Sequence, residues 1–353
     1  MCIVYERTVV TASHPNEMDF ESEFLKTYNI LKWDEFTVLN NDRISINEKI
    51  ANKVVTKHEL LSQFKVELRL LNSCKHKIEE LDLDLVDTGV LIILSKRVID
   101  LFDHMHVLFT IDEKLLSCHI DFCLDNVEFI HVDQLDILLD AVLCTNNNKT
   151  IWIQLLKLHL KLNNFDKLMN VFQEGVRSLK KNSLPLWKMM IKDMRKKRPD
   201  VLQTLLEEGS NISYEDVSLE IRPKYLKWCI EFKDIDATRN LFNELKELKP
   251  PCCKLYLVMI SIESEILDFE LSTVRKLYDE ACILFGKDNI GVWLDYIRFE
   301  QIEGSLKLID SIYSKGLWKL EPNLRNAYMD EYNNIKNEFK KQLGSEIIVI
   351  DDD

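Results

Sequence analysis

Two groups of side chains have the residue types for chemistry. Cys118-His119-x3-Cys123 lies close in sequence to His104, His106 and His131. Thiolate and imidazole are the ligands zinc prefers, but a site needs about four of them converging, usually from short Cys-x2–4-Cys knuckles. Cys118 and Cys123 are five apart, which at 3.6 residues per turn puts them about 140° from each other around a helix. His119 and Cys123, four apart, do share a face. No second ligand pair has matching spacing, so the pattern predicts a packed helix and no metal. Cys252-Cys253 follows Pro250-Pro251. A vicinal pair is not the Cys-x2-Cys spacing of redox exchange, and it reads as packing at a helix start.

Other catalytic signatures are missing from the text. There is no Gly-x-Ser-x-Gly elbow, no Walker loop and no His-Glu-x2-His. Carboxylates are plentiful, yet no pair stands in a context that marks it as acid and base. The expectation is a protein that is not an enzyme and needs no cofactor. Two binding chemistries remain. The run Arg195-Lys196-Lys197-Arg198 before Pro199, with Lys180-Lys181 nearby in sequence, could meet RNA phosphates or serve as a nuclear-import patch. The plainer reading is a solvated turn between two helices. Trp152, Trp187, Trp228, Trp293 and Tyr296 could be a base-stacking platform. Their helical period and apolar neighbours predict core packing instead.

The elements that carry these residues repeat. Trp293, Tyr296 and Phe299 are spaced by three, with Glu300 following, which places the rings on one stripe of a helix. Gly304 ends that helix, and a second amphipathic stretch carries Tyr313. The same two-helix unit recurs upstream. Tyr256, Met259, Ile262 and Glu263 lead to Val274–Ala281, Tyr225 and Trp228 lead to Ala237–Phe242, Trp187 leads to Leu206, and Trp152 leads to Phe172. Second-helix anchors fall at Phe102, Leu139, Phe172, Leu206, Phe242, Tyr278 and Tyr313, separated by 33 to 37 residues. Asn163-Asn164 and Lys233-Asp234 mark breaks between paired helices. One helix pair cannot bury its apolar stripe alone, whereas stacked pairs share a continuous core. The predicted fold is all-α, a right-handed superhelical solenoid of helix-turn-helix repeats.

Composition agrees. Among 353 residues there are only 8 glycines and 7 prolines, where average usage would supply roughly 40 of the two together. That excludes barrels, sandwiches and loop-built sites. With 46 Lys+Arg against 59 Asp+Glu, the net charge of −13 works against broad nucleic-acid or anionic-membrane binding. Nine scattered cysteines imply a reducing compartment, no stretch reaches the ~20 apolar residues of a membrane span, and the Met1–Val10 stretch, with Glu6 and Arg7, is not a signal peptide. The reading divides the chain into divergent repeats over 1–95, a regular array over 96–340 and an acidic tail over 341–353. Ile3–Thr8 resembles a second helix, so the chain is expected to begin inside a repeat. Residues 34–48 read as a long loop.

The Trp-x2-Tyr-x2-Phe-Glu helix at Trp293–Glu300 and the Leu-Tyr-Asp-Glu-Ala helix at Leu277–Ala281 resemble the half-a-tetratricopeptide (HAT) repeat. Three stretches are similar to the C-terminal half of the U3 small nucleolar RNA-associated protein 6 family. They are Lys224–Trp228 with Ala237–Phe242, Leu277–Ala281 running through Phe285-Gly286 into Val292–Ile297, and Ile151-Trp152 running through Asn170–Phe172 to Leu186-Trp187. That family's basic N-terminal helical segment is expected to be missing here. The resemblance implies a non-catalytic scaffold of the small-subunit processome, in a UTP-B-like module. Its partners would be processome proteins and, indirectly, the U3 ribonucleoprotein, in 18S ribosomal RNA maturation in the nucleolus. No membrane or small-molecule partner is implied. The alternative is a HAT scaffold of pre-mRNA 3′-end processing or splicing.

Overall fold

The computed structural model describes residues 15–82, 89–109, 112–145, 148–267 and 269–350, with side chains from 18 to 339. Among the described residues every regular element is helical. Helices α1 (Pro15–Thr27), α2 (Trp33–Ala51), α3 (Lys57–Leu81), α4 (Gly89–Leu108), α5 (Glu113–Asp125), α6 (Asp136–Leu143), α7 (Lys149–Leu162) and α8 (Phe165–Leu179) come first. Then follow α9 (Leu184–Lys197), α10 (Pro199–Asn211), α11 (Glu215–Phe232), α12 (Ile235–Lys246), α13 (Cys253–Ser264), α14 (Leu271–Phe285), α15 (Ile290–Ile302), α16 (Leu306–Lys319) and α17 (Arg325–Ile350). The chain forms two compact units, divided between Asp193 and Met194.

Within each unit, helices pack in consecutive pairs and the pairs lean on their neighbours. In the first unit α3 packs on α4 and α7 on α8, while α5 meets α7, and α6 meets both α4 and α8. In the second, α11 packs on α12, α13 on α14 and α15 on α16, while α11 meets α13, and α15 meets α17. First helices thus touch first helices, as a helical repeat requires. The seven expected anchors fall in turn on α4, α6, α8, α10, α12, α14 and α16.

The polar residues between helices set the breaks. Asn163 closes α7 in the left-handed region at φ 56, and the Asn164 side chain accepts from the Lys167 amide to open α8. Asp234 accepts from the Ala237 amide to open α12. These side chains satisfy amides that a helix start leaves without partners.

The structure corrects the reading at one point. Residues 34–48 are not a loop but most of α2. Its inward stripe runs through Phe36, Leu39 and Arg43, and the charge in mid-stripe hides the apolar period. Arg43 is answered from both sides. Its guanidinium donates to Glu67 on α3 at 2.6 Å and to Glu21 on α1 at 3.0 Å, and Arg97 on α4 also donates to Glu21. Glu21 and Glu67 are buried. Burial alone would lower the Arg43 pKa, but the two carboxylates carry it upward. Ser95, where the reading divides the chain, lies inside α4. Helix α17 runs to Ile350, beyond the 340 boundary set for the tail. Ile3–Thr8 and residues 351–353 lie outside the described residues.

Candidate functional site

The repeat residues singled out in sequence are placed inside the helix pairs. Trp152 (α7), Phe172 (α8), Trp187 (α9), Tyr225 and Trp228 (α11), Phe242 (α12), Tyr278 (α14) and Trp293, Tyr296, Phe299 and Glu300 (α15) are all buried. Their rings meet in pairs. Phe172 and Trp187 pack edge-on at 4.9 Å, and Tyr278 and Tyr296 stack at 4.7 Å, nearly parallel. Such geometries add about 0.5–1.5 kcal/mol beyond area burial. Trp293 also donates its indole N–H to the Gly286 carbonyl at 2.9 Å, tying α15 to the turn before it. Tyr313 is half-buried and stacks on Tyr332 of α17 at 4.1 Å. Rings enclosed this way hold helices together and present no stacking face.

A charged link between pairs recurs that sequence reasoning missed. Arg275 on α14 grips Glu300 on α15 with two hydrogen bonds, at 2.7 and 2.9 Å. Arg239 on α12 grips Glu263 on α13 likewise, at 2.7 and 2.8 Å. The partners are 25 and 24 residues apart, and Arg43–Glu67 repeats the 24 spacing. Each arginine thus joins the second helix of one pair to the first helix of the next. Glu300 additionally accepts from the Ser305 amide at 2.7 Å, just past Gly304. Burial would raise its pKa, but Arg275 and that amide overcome it and hold the carboxyl below its ordinary value. The available signal was an arginine three residues before the Phe242 and Tyr278 anchors.

The basic run is not a free turn. Arg195, Lys196 and Lys197 form the last turn of α9, where cations suit the helix dipole, and Arg198 caps α10 with Pro199 at its first position. Arg195 pairs with Glu231 at 2.8 Å and Arg198 with Asp200 at 2.9 Å. Arg195 and Arg198 are therefore already answered by carboxylates.

The Cys/His group separates. Cys118 and His131 are exposed and His104 is half-buried, while His106, His119 and Cys123 are buried. His106 and His119 share one hydrogen bond at 3.2 Å, and His119 stacks on Phe102 at 4.4 Å. Burial pushes the Cys123 thiol up. No group of three or more metal-binding side chains converges among the described residues. Cys252 caps α13 and donates to the Leu219 carbonyl at 3.4 Å, and burial raises the Cys253 thiol to about 11. Both are packing residues.

Two more features escaped the sequence. Arg222 of α11 is buried, and its guanidinium is solvated by main-chain carbonyls of Ser210, Lys249 and Pro250 at 3.3, 3.1 and 2.6 Å. It pins the turn after α12. An open groove of about 390 Å³ lies between α13 and α15, lined by Ile260, Ser264, Phe299 and Ile302, with Asp295 and Arg298 at its edge. Those two charges pair with each other at 3.1 Å. The groove offers apolar contact area and no convergent acid and base. No helix among the described residues is long and apolar enough to cross a membrane.

Comparison with known proteins points one way. The family model "U3 small nucleolar RNA-associated protein 6 C-terminal" matches residues 135–320, from just before α6 to just after α16. The human and mouse proteins named U3 small nucleolar RNA-associated protein 6 homolog are each 28% identical over 83 residues, 24% of this chain. The matched stretch spans 14% of the length of each relative. With its model matched over more than half of the residues, the chain belongs to the U3 small nucleolar RNA-associated protein 6 family.

Proposed function

We propose that this chain is a non-catalytic scaffold of the small-subunit processome. It would support U3-dependent processing of pre-ribosomal RNA and 18S maturation in the nucleolus, within a UTP-B-like module. The family match carries this reading. The architecture supports it: helix pairs, linked by buried rings and by Arg239–Glu263 and Arg275–Glu300, make a stiff support with long outer surfaces. We read the pairs as HAT repeats forming a right-handed superhelix. Processome proteins dock on its faces, and the U3 ribonucleoprotein is held through them. The pre-mRNA processing alternative has no support from the family match. The test is affinity purification of the tagged chain from nucleolar extract. Enrichment of U3 RNA and processome proteins is expected. Recovery of cleavage or splicing factors in their place would overturn the proposal.

A further inference from the structure

Arg195 and Arg198 of the basic run are already paired with carboxylates, and a second group of cations lies near the C-terminal end. Lys315 and Lys319 lie on the last turns of α16, and Arg325 opens α17. Among the described residues none of the three has a carboxylate partner. Lys319 donates to the Ile283 carbonyl at the end of α14 (3.0 Å), and Arg325 donates to the carbonyls of Leu320 (3.1 Å) and Trp318 (3.3 Å). Lys315 is one helical turn before Lys319; burial and then Asp279 raise the Cys282 thiol of α14, and both lysines oppose that shift. The nearby Glu321 pairs with Lys287 at 3.7 Å. In a chain of net charge −13, this is a local surplus of positive charge.

Trp318 adjoins Lys319 on α16, and its carbonyl accepts from Arg325. It is 84% exposed and Trp33 of α2 is 60% exposed, whereas Trp152, Trp187, Trp228 and Trp293 are buried. Ile283, whose carbonyl accepts from Lys319, is 67% exposed. An indole left in water costs free energy that the fold does not recover. An exposed ring near cations that no carboxylate neutralises has the two parts that hold a single strand: a face on which a base stacks, and charges that meet the phosphates on either side. A double helix offers no open base to the ring. An acidic peptide would satisfy the cations but gives the flat face nothing equivalent.

We propose that the α16–α17 end, with Trp318 as stacking residue and Lys315, Lys319 and Arg325 as phosphate contacts, binds single-stranded RNA. The choice of RNA rests on the proposed function; the site itself does not. The full chain is titrated into a fluorescein-labelled short oligouridylate and anisotropy is read across salt concentrations. Binding at low salt is expected, with a log–log salt slope of about −2 for three contacts. Trp318→Ala should weaken it by about tenfold. The pair Lys315→Gln, Lys319→Gln should flatten the slope, and Arg195→Gln with Arg198→Gln should leave it unchanged. A far-UV melt of Trp318→Ala matching wild type shows that the fold is intact. Equal affinity in Trp318→Ala, no binding at low salt, or a short oligoglutamate bound as tightly would each overturn the inference. Recovery of U3 RNA from extract is scored separately, because the proposed function routes it through protein partners.

Discussion

Glu300 is 1% exposed, and what keeps it charged is Arg275 on the neighbouring helix. Removing one partner of such a pair costs more than the pair was worth, because the remaining charge is stranded. Arg275→Met should destabilise by about 1–3 kcal/mol, less than for a fully enclosed pair since Arg275 is 30% exposed. Without the arginine, only the Ser305 amide is left to oppose burial, and the folded pKa of Glu300 rises. The cost should therefore be small at pH 4 and grow toward neutrality, as denaturant melts at the two pH values would reveal. The buried histidines give a second pH signature. Burial lowers His106 and His159 to about 4, and burial followed by His106 lowers His119. An unfolded chain takes up those protons below about 6.5. Stability should thus fall as pH drops from 6.5 toward 4, by at most about 1.4 kcal/mol per pH unit for each histidine. Asp103 has the opposite sign. Burial, then Asp100, raises it to about 8, so the folded state holds a proton the unfolded state has released, and this contribution shrinks as pH climbs from 4 to 8. Thermal melts across that range should show a shallower acid limb in His159→Leu. Asp103→Asn should remove the decline on the neutral side.

At the scale of elements, what was legible was whatever leaves a period or a punctuation mark. The ring anchors and the Asn163-Asn164 and Lys233-Asp234 breaks place α7, α8, α11 and α12 because aromatic spacing and capping chemistry are written locally. Helix α2 was not legible. Arg43 occupies a core position, and only Glu21 and Glu67, more than twenty residues away on either side, make that tolerable. The Arg239–Glu263 and Arg275–Glu300 links were hidden for the same reason: each half looks like an ordinary surface charge until its partner is placed. Close approach is equally silent in sequence. Gly316 lets α16 lie so near its neighbours that an added methyl would come within 2.6 Å of the Tyr328 hydroxyl on α17 and 3.0 Å of the Trp293 ring on α15. Gly316→Ala gains helix propensity but must push rigid rings aside. A net loss of about 1–3 kcal/mol is expected in a urea melt, and a gain in stability would show that the contact yields.

Across the whole molecule, the chemistry that the sequence advertised most loudly, four consecutive basic residues, became a helix end with paired charges. The exposed ring at Trp318 was unremarked, because an aromatic residue on a helix gives no sign in sequence of which side it faces. Fold class survives such errors, since it rests on many repeated anchors, while a surface site rests on a few. Repetition also sets how damage should spread. In a stack of similar pairs, stability comes from each pair and its nearest interfaces, so a defect stays local. Trp293 is 5% exposed, holds the Gly286 carbonyl and lies against Gly316, which places it among α14, α15 and α16. Trp293→Ala should cost about 3–5 kcal/mol. Amide hydrogen exchange should then quicken from α14 through α17 and stay at wild-type rates in α3 to α8, which belong to the other compact unit. If exchange rose equally in both units, the chain would unfold as one cooperative body, and nearest-neighbour stacking would not be what stabilises it.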